Sequence, residues 1–543
     1  MKEFMLSLQN ISYTHPNKDI LFSNINLTVN NHDKIAIIGN NGIGKTTFLK
    51  IIAKELPPSS GQLDVESDPY YIPQIFGQYN HLTIAQALRI ADKLNALKEI
   101  LEGSIREENF NLLNDDWTIE DRCDEALDYW QLKGLDLSEK MGTLSGGQKT
   151  KVFLAGIFIH KPQLILLDEP SNHLDTSSRQ LLYDFMESST KSTLVLVSHD
   201  RKLLNLSGIV GELGKHGIRI YGGNYDFYEV QKQIEHHALN QNIQNKEKAL
   251  RKAEGRERET LERQQKLDTR GKRKQEKSGV ARIMMNTLRN NAENSTSKLK
   301  SVHAEKIDGM TQELQDLRTM LPDLDKMKFG FDHSPLHKGK ILFVATNINF
   351  AYNTTRIWRE NLSFQIVSGE RIALKGQNGS GKTTLIKLVS GDLEPQTGAV
   401  YRAKNKSVYI DQDYSLLDKT QKVYEQAQQF NNSAWQEHEI KTRLNHFLFT
   451  RDDWDKPCNV LSGGERMRLM LCCLTIGRKS PDIIIFDEPT NNLDMQNVEI
   501  LTEAINEYQG TIIVVSHDET FLERINIERI IELNHEDQLT LRS

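Results

Sequence analysis

Two runs of residues in this chain have the types and spacing to grip a phosphate chain. They are Gly39-Asn40-Asn41-Gly42-Ile43-Gly44-Lys45-Thr46 and Gly376-Gln377-Asn378-Gly379-Ser380-Gly381-Lys382-Thr383, each of the form Gly-x-x-x-x-Gly-Lys-Thr. Glycines permit backbone angles closed to other residues, so successive amide N–H groups can converge on phosphate oxygens at a helix N-terminus. Lys45 and Lys382 would reach the β- and γ-phosphates of a nucleotide, and the hydroxyls of Thr46 and Thr383 would hold a magnesium ion. The candidate nucleotide-binding set is therefore Gly39, Asn40, Asn41, Gly42, Gly44, Lys45, Thr46 and Thr47 in one run. In the other it is Gly376, Gln377, Asn378, Gly379, Gly381, Lys382, Thr383 and Thr384. One such match can be an accidental glycine turn; two with the same downstream companions cannot.

The elements around each run are those the chemistry needs. Apolar residues 35–38 and 372–374 read as buried strands feeding the loops, and residues 47–52 and 384–388 carry a helical pattern leaving them. Farther on lie Leu144-Ser145-Gly146-Gly147-Gln148 and Leu461-Ser462-Gly463-Gly464-Glu465, then two apolar runs ending in Asp168-Glu169-Pro170 and Asp487-Glu488-Pro489. Four apolar residues before each Asp-Glu fit a buried parallel strand that delivers carboxylates to its C-terminal end, where ligands bind. Adjacent strand residues point to opposite sides, so each Asp and Glu are expected to take different tasks.

These motifs resemble the signature and Walker B sequences of ATP-binding cassette (ABC) proteins. The resemblance implies that Asp168 and Asp487 support magnesium and that Glu169 and Glu488 polarise the attacking water. It makes Gln74 and Gln412, 35 and 36 residues after the first loop glycine, sensors of the magnesium and γ-phosphate. Residues 172–175 and 491–494 resemble the loops that cross between cassettes, and His199 and His517 resemble the switch histidine at a strand end. Tyr13 and Phe350 each precede their loop glycine by 26 residues, where the family places a ring stacked on adenine. A lone histidine or aromatic is more often core; the matched spacing in both halves favours the site. In this family the sites form head to tail, so Ser462 and Gly464 would close over the ATP of Lys45, and Ser145 and Gly147 over that of Lys382. Neither half carries a disabled motif.

The fold class expected is α/β: two P-loop ATP-binding cassette domains, residues 1–224 and 337–543, joined by a long α-helical hairpin linker, residues 225–336. The linker is rich in Gln, Lys, Arg and Glu with scattered apolar positions, which reads as two amphipathic helices rather than a third core. The stretch from Gly271 to Gly279 offers a break between them, and Pro322 ends the second. The first cassette runs 106 residues from Gly39 to Ser145, against 86 from Gly376 to Ser462, so an insertion is expected near 91–116.

Charge singles out the linker. Nine basic and two acidic residues fall between Arg263 and Arg289, in a chain of 543 residues whose net charge is −6. A charge run is often only a solvated helix face. On an otherwise acidic protein it is also the footprint of a polyanion partner. No apolar stretch approaches the length needed to cross a bilayer, and residues 1–5 do not form a signal peptide, so the chain cannot by itself carry a solute through a membrane. Four cysteines, Cys123, Cys458, Cys472 and Cys473, make neither a metal pattern nor a disulfide framework, which suits a reducing cytoplasm.

Two fused cassettes and a basic helical linker resemble the ABC-F family of translation factors over essentially the whole chain. That resemblance implies a cytoplasmic monomer with intramolecular cassette pairing, ATP and Mg2+ as cofactors, and a ribosome partner. The linker, residues 263–289 above all, would face ribosomal RNA and peptidyl tRNA near the exit site. A housekeeping factor and an antibiotic-resistance factor of the same family differ only in linker tip and length. A DNA-associated ATPase, and an energising subunit for a separate membrane transporter, are the other classes; the basic linker argues against the last.

Overall fold

The computed structural model describes residues 4–74, 76–172, 174–277, 301, 304–318, 327, 336–352, 355–376, 379–432, 434–477, 481–491, 493–533 and 540–542. The expected positions Gln377, Asn378, His173, Asn492, Pro322 and the basic residues Arg282 and Arg289 lie outside these. The chain divides into two compact units, residues 1–228 with 327–543, and residues 229–326.

In the first unit one architecture occurs twice. A six-stranded sheet places its strands in the order Tyr70–Ile72, Leu164–Asp168, Thr193–Val197, Lys34–Ile38, Ile209–Gly214, Gly217–Tyr221. Only the last of these pairs antiparallel. The second sheet repeats it with Ser407–Ile410, Ile483–Asp487, Thr511–Val515, Arg371–Gly376, Arg529–Leu533 and Thr540–Arg542. Every residue of Leu164–Asp168 and of Thr193–Val197 is buried, as expected of parallel strands covered on both faces. Beside each sheet lies a three-stranded antiparallel sheet, Phe4–Thr14 between Ile20–Asn30 and Ser60–Val65, and Ile341–Asn349 between Leu362–Val367 and Thr397–Arg402.

This topology positions the site. The strand bearing the phosphate loop lies next to the one leading to the switch histidine, which lies next to the one ending in the Asp-Glu pair, so all three deliver their C-terminal ends together. Register aligns them: Asp168 pairs with Val197 and Asp487 with Val515.

Helices Ala91–Leu101 and Glu107–Leu113 pack on each other in the first cassette and have no counterpart among the described residues of the second. They occupy the stretch where the longer loop-to-signature interval calls for extra chain. All four cysteines are buried and free.

The second unit is built on one helix, Tyr225–Lys277, 53 residues long, whose first turn belongs to the first unit. It runs without interruption through Gly255 and Gly271 to Lys277, and the rest of the stretch expected to break the linker, through Gly279, lies outside the described residues. Gly costs a helix about 1 kcal/mol relative to Ala, which a long run of Lys, Arg, Gln and Glu readily offsets. Helical residues 304–318 are tied to it by the ion pairs Lys246–Glu313 and Arg318–Glu247, the latter at 2.6 Å. Among its described residues Ile243 and Leu314 are the buried apolar positions.

Candidate functional site: two composite nucleotide sites

Each phosphate loop ends in a glycine that only glycine can be. Gly44 and Gly381 are the residues before helices Lys45–Ile52 and Lys382–Ser390, at φ of 100° and 90°. A Cβ on Gly44 would fall 2.6 Å from Leu21 Cδ2, and one on Gly381 would fall 2.9 Å from the indole nitrogen of Trp358. The chain thus turns sharply and aims the N–H groups of the first helical turn at one point, an anion site by construction. Lys45 Nζ donates to the Gly39 carbonyl at 2.7 Å, and Lys382 Nζ to the Gly376 carbonyl at 2.7 Å. Burial holds both ammonium groups below the usual lysine range, with the nearby acidic residues opposing. Each lysine is therefore folded onto its own loop, poised to exchange a carbonyl for a phosphate.

The carboxylates depart from the expected strand alternation. Asp168 and Asp487 end their strands, but Glu169 and Glu488 lie just beyond, in left-handed backbone at φ 50° and 47°. It is this turn, not the pleat, that separates the two carboxyl groups. A glutamate there costs of order 1 kcal/mol or more, and the site holds it by a hydrogen bond. Glu169 N–H donates to the Val197 carbonyl and Glu488 N–H to that of Val515, both at 2.8 Å. The strain so stored aims each glutamate at its switch histidine. His199 N–H donates to Glu169 Oε2 at 3.2 Å, and His199 Nε2 stands 3.3 Å from Glu169 Oε1. His517 Nε2 stands 3.4 Å from Glu488 Oε1.

Burial dominates the electrostatics. It pushes the Glu169 carboxyl up to about 8 and that of Glu488 to about 7, and it pushes the imidazoles of His199 and His517 down to about 3 and about 4. A carboxyl whose affinity for a proton is raised is the stronger base once ionised, and with a neutral histidine beside it is suited to orienting and deprotonating a water. Among buried atoms without a hydrogen-bond partner are Asp168 Oδ1 and Glu169 Oε1. A buried carboxylate oxygen is costly to leave unmet. With the hydroxyl of Thr46 near Asp168, this all-oxygen donor set fits magnesium. Gln74 and Gln412 are half-buried on the loops following Tyr70–Ile72 and Ser407–Ile410.

The structure adds residues that the sequence reading did not single out. Tyr71 hydroxyl donates to Asp168 Oδ2 at 3.1 Å, and Tyr409 hydroxyl to Asp487 Oδ2 at 2.7 Å. Both precede their loop glutamine by three residues, a repeat visible in the chain itself. Phe350 packs against the second core, whereas Tyr352 is exposed, with its hydroxyl 3.4 Å from Thr384 Oγ1. Tyr352 is thus the ring that reaches the second phosphate loop. Tyr13 is half-buried, tilted on Phe22 and edge-on to His15.

Contacts cross between cassettes. Asn41 N–H, in the first phosphate loop, donates to Asp494 Oδ2 of the second cassette at 2.8 Å. Thr176 of the first cassette lies 3.0 Å from His517 Nδ1 of the second, and Arg201 pairs with Glu499 at 3.7 Å. The signature serines, both exposed, start helices Gly146–His160 and Gly463–Ile476 through reciprocal caps, Ser145 with Gln148 and Ser462 with Glu465. Gly464 backs directly onto Asn497, whose amide donates to Asp494 Oδ1 at 2.7 Å.

Two parallel-sheet cassettes with paired phosphate loops, Asp-Glu turns and crossing loops define an ATP-binding cassette ATPase. Comparison with known proteins agrees: the ABC transporter family model matches residues 22–172 and 359–491. The chain is 32% identical to the putative ATP-binding protein YdiF of Bacillus subtilis, over 95% of this chain and 78% of that one. It is 27% identical to ABC transporter F family member 5 of Arabidopsis thaliana, over 97% of this chain and 75% of that one. The structure of an archaeal ribosome recycling factor, aABCE1, in complex with the ribosomal stalk protein aP1, shares the fold. Its TM-score is 0.59 at 20% identity, covering 96% of this chain and 87% of that one. The chain belongs to the ATP-binding cassette family, as an ATPase of its ABC-F type. Among the described residues no helix is long and apolar enough to cross a membrane.

Proposed function

We propose that this ATPase binds the ribosome in its ATP-closed form, presents its basic linker to ribosomal RNA and tRNA, modulates translation there, and leaves on hydrolysis. The observation that carries the reading is the excess of positive charge between Arg263 and Arg289 in a chain of net charge −6. Its described part lies on the long helix Tyr225–Lys277. Phosphate contacts dominate affinity for nucleic acid, so such a run suits an RNA partner. The aABCE1 complex, a ribosomal protein bound to a tandem-cassette fold, supports the same partner.

At each site the chain's own groups divide the work. N–H groups of the loop and Lys45 or Lys382 bind the phosphates. Thr46, Gln74 and Asp168, and in the second site Thr383, Gln412 and Asp487, would hold magnesium, which supplies charge neutralisation at the β- and γ-phosphates when bound. Glu169 or Glu488 takes a proton from water, and His199 or His517 orients that glutamate and the γ-phosphate. Ser462 with Gly464, and Ser145 with Gly147, close each site from the opposite cassette, so ATP joins the halves and its cleavage frees them.

The test replaces Arg270, Lys272, Arg273, Lys274 and Lys277 with Ser and follows cosedimentation with ribosomes across a salt series. Weaker binding with a shallower salt slope is expected, at unchanged ATP affinity, because each lost phosphate contact removes a share of counterion release. Equal binding with equal slopes would return the basic run to a solvated helix surface.

A further inference from the structure

The two ATP sites carry matching motifs, yet what reaches them from the opposite cassette differs. Helix Thr176–Ser188 begins where the first cassette's crossing loop ends. Its start is held firmly: Asp175 accepts from Ser178 N–H at 3.0 Å and from the Ser177 and Ser178 hydroxyls at 3.1 and 2.6 Å. That fixes Thr176 at the first helical position, with its hydroxyl 3.0 Å from His517 Nδ1 in the second cassette. The other ring nitrogen, Nε2, stands 3.4 Å from Glu488 Oε1. One turn along, Arg179 anchors its Nε on the Leu174 carbonyl at 3.2 Å. Its guanidinium is the cation that most favours the charged form of Glu488.

The mirror positions are different residues. Met495 follows Asp494 as Thr176 follows Asp175, and Val498 stands where Arg179 would. Met495 has no hydroxyl to offer His199, and it packs instead against the apolar core of the first cassette. Among the described residues His199 meets Glu169, through its N–H and through Nε2.

We propose that Thr176 is a positioning residue acting in trans, which holds the His517 ring by its Nδ1 and makes the second ATP site organised by the first cassette, a hold that Met495 at the mirror position cannot give His199. The physical reason is the pair of neighbours that the ring meets. A neutral imidazole carries one proton. A hydroxyl both donates and accepts, so Thr176 can bond Nδ1 in either tautomer and hold the ring between itself and Glu488. Among the described residues no hydroxyl stands at the other ring nitrogen of His199, so that ring has no such second hold. The inequivalence concerns ATP turnover itself and stands whether or not the ribosome is the partner.

The experiment isolates each site in the full chain. Glu169→Gln leaves the second site to turn over and Glu488→Gln leaves the first; Thr176→Val is added to each. In the Glu169→Gln background kcat is expected to fall about tenfold or more with KM changed less than about twofold, the scale of losing a ligand-orienting partner. In the Glu488→Gln background neither should change by more than about twofold. Thr176→Ser, which keeps the hydroxyl, should restore the wild-type values. A second measurement needs no turnover: the nitrogen shifts of the His517 ring should match in the wild type and in Thr176→Ser, and should move in Thr176→Val, which removes the partner of Nδ1. An equal fall in both backgrounds, no fall in the Glu169→Gln background, or unchanged His517 ring nitrogen shifts in Thr176→Val would each overturn the proposal.

Discussion

Glu169→Gln should stabilise the nucleotide-free protein, and by an amount that depends on pH. Glu169 is 6% exposed, and burial raises its carboxyl from 4.5 to about 8. Ionised in the unfolded chain and protonated in the fold, it makes folding take up a proton above pH 4.5. Its favourable contribution is therefore complete below pH 4.5 and is lost as the pH rises through about 8. At pH 7.5 the loss is on the order of 4 kcal/mol, from 1.36 kcal/mol per unit over about three units. Gln has no proton to take up, and its side-chain oxygen can still accept from His199 N–H. Lys45 loses a favourable neighbour in the variant, which offsets part of the gain. A net gain of about 2 to 3 kcal/mol remains, or about 5 to 10 °C for a cassette-sized unit. Calorimetry in the presence of a chelator and without nucleotide should show that gap at pH 7.5 and almost none at pH 5. A gap equal at both values, or a less stable variant at pH 7.5, would refute the reasoning that Glu169 is held protonated at a cost to the fold.

Two further outcomes follow from the crossing contacts. Gly464→Ala would drive a Cβ into the Asn497 amide and disturb the chain from Asn497 through Asp494 to Asn41; we expect a loss of about 1 to 3 kcal/mol in thermal unfolding and a larger fall in turnover at the Lys45 site than at the Lys382 site, read in the single-glutamine backgrounds. Ser145→Arg should disable the site built on Lys382, because a bulky cation from the first cassette would enter its γ-phosphate pocket. Lost binding at the Lys45 site alone would contradict head-to-tail closure.

Much of the site was legible because its chemistry is local. A phosphate loop is a stretch of eight residues whose glycines declare their backbone angles, and a signature serine declares itself as a helix cap by its partner three residues on. The sheet was legible too, since buried parallel strands read as continuous apolar runs. What the chain did not announce depends on distance or on strain. Left-handed backbone at Glu169 and Glu488 has no signature in a non-glycine residue, so strand alternation was the natural but mistaken expectation. Tyr71 and Tyr409 look like ordinary strand aromatics until the adjacent strand brings an aspartate to each hydroxyl. Phe350 and Tyr352 are two residues apart, and only the position of Thr384 shows that the second ring also reaches the loop. Thr176 against His517 joins residues 341 apart, which no local pattern encodes.

The most direct test of the account is ribosome retention by the chain carrying both Glu169→Gln and Glu488→Gln. The double variant should bind ATP, fail to hydrolyse it, and stay closed. It should therefore cosediment with ribosomes when ATP is present and dissociate when ATP is withheld, and its expression should block translation. Soluble, ATP-loaded double variant that stays free of ribosomes and leaves translation untouched would contradict the claim that these two cassettes form an ATP-gated clamp on the ribosome.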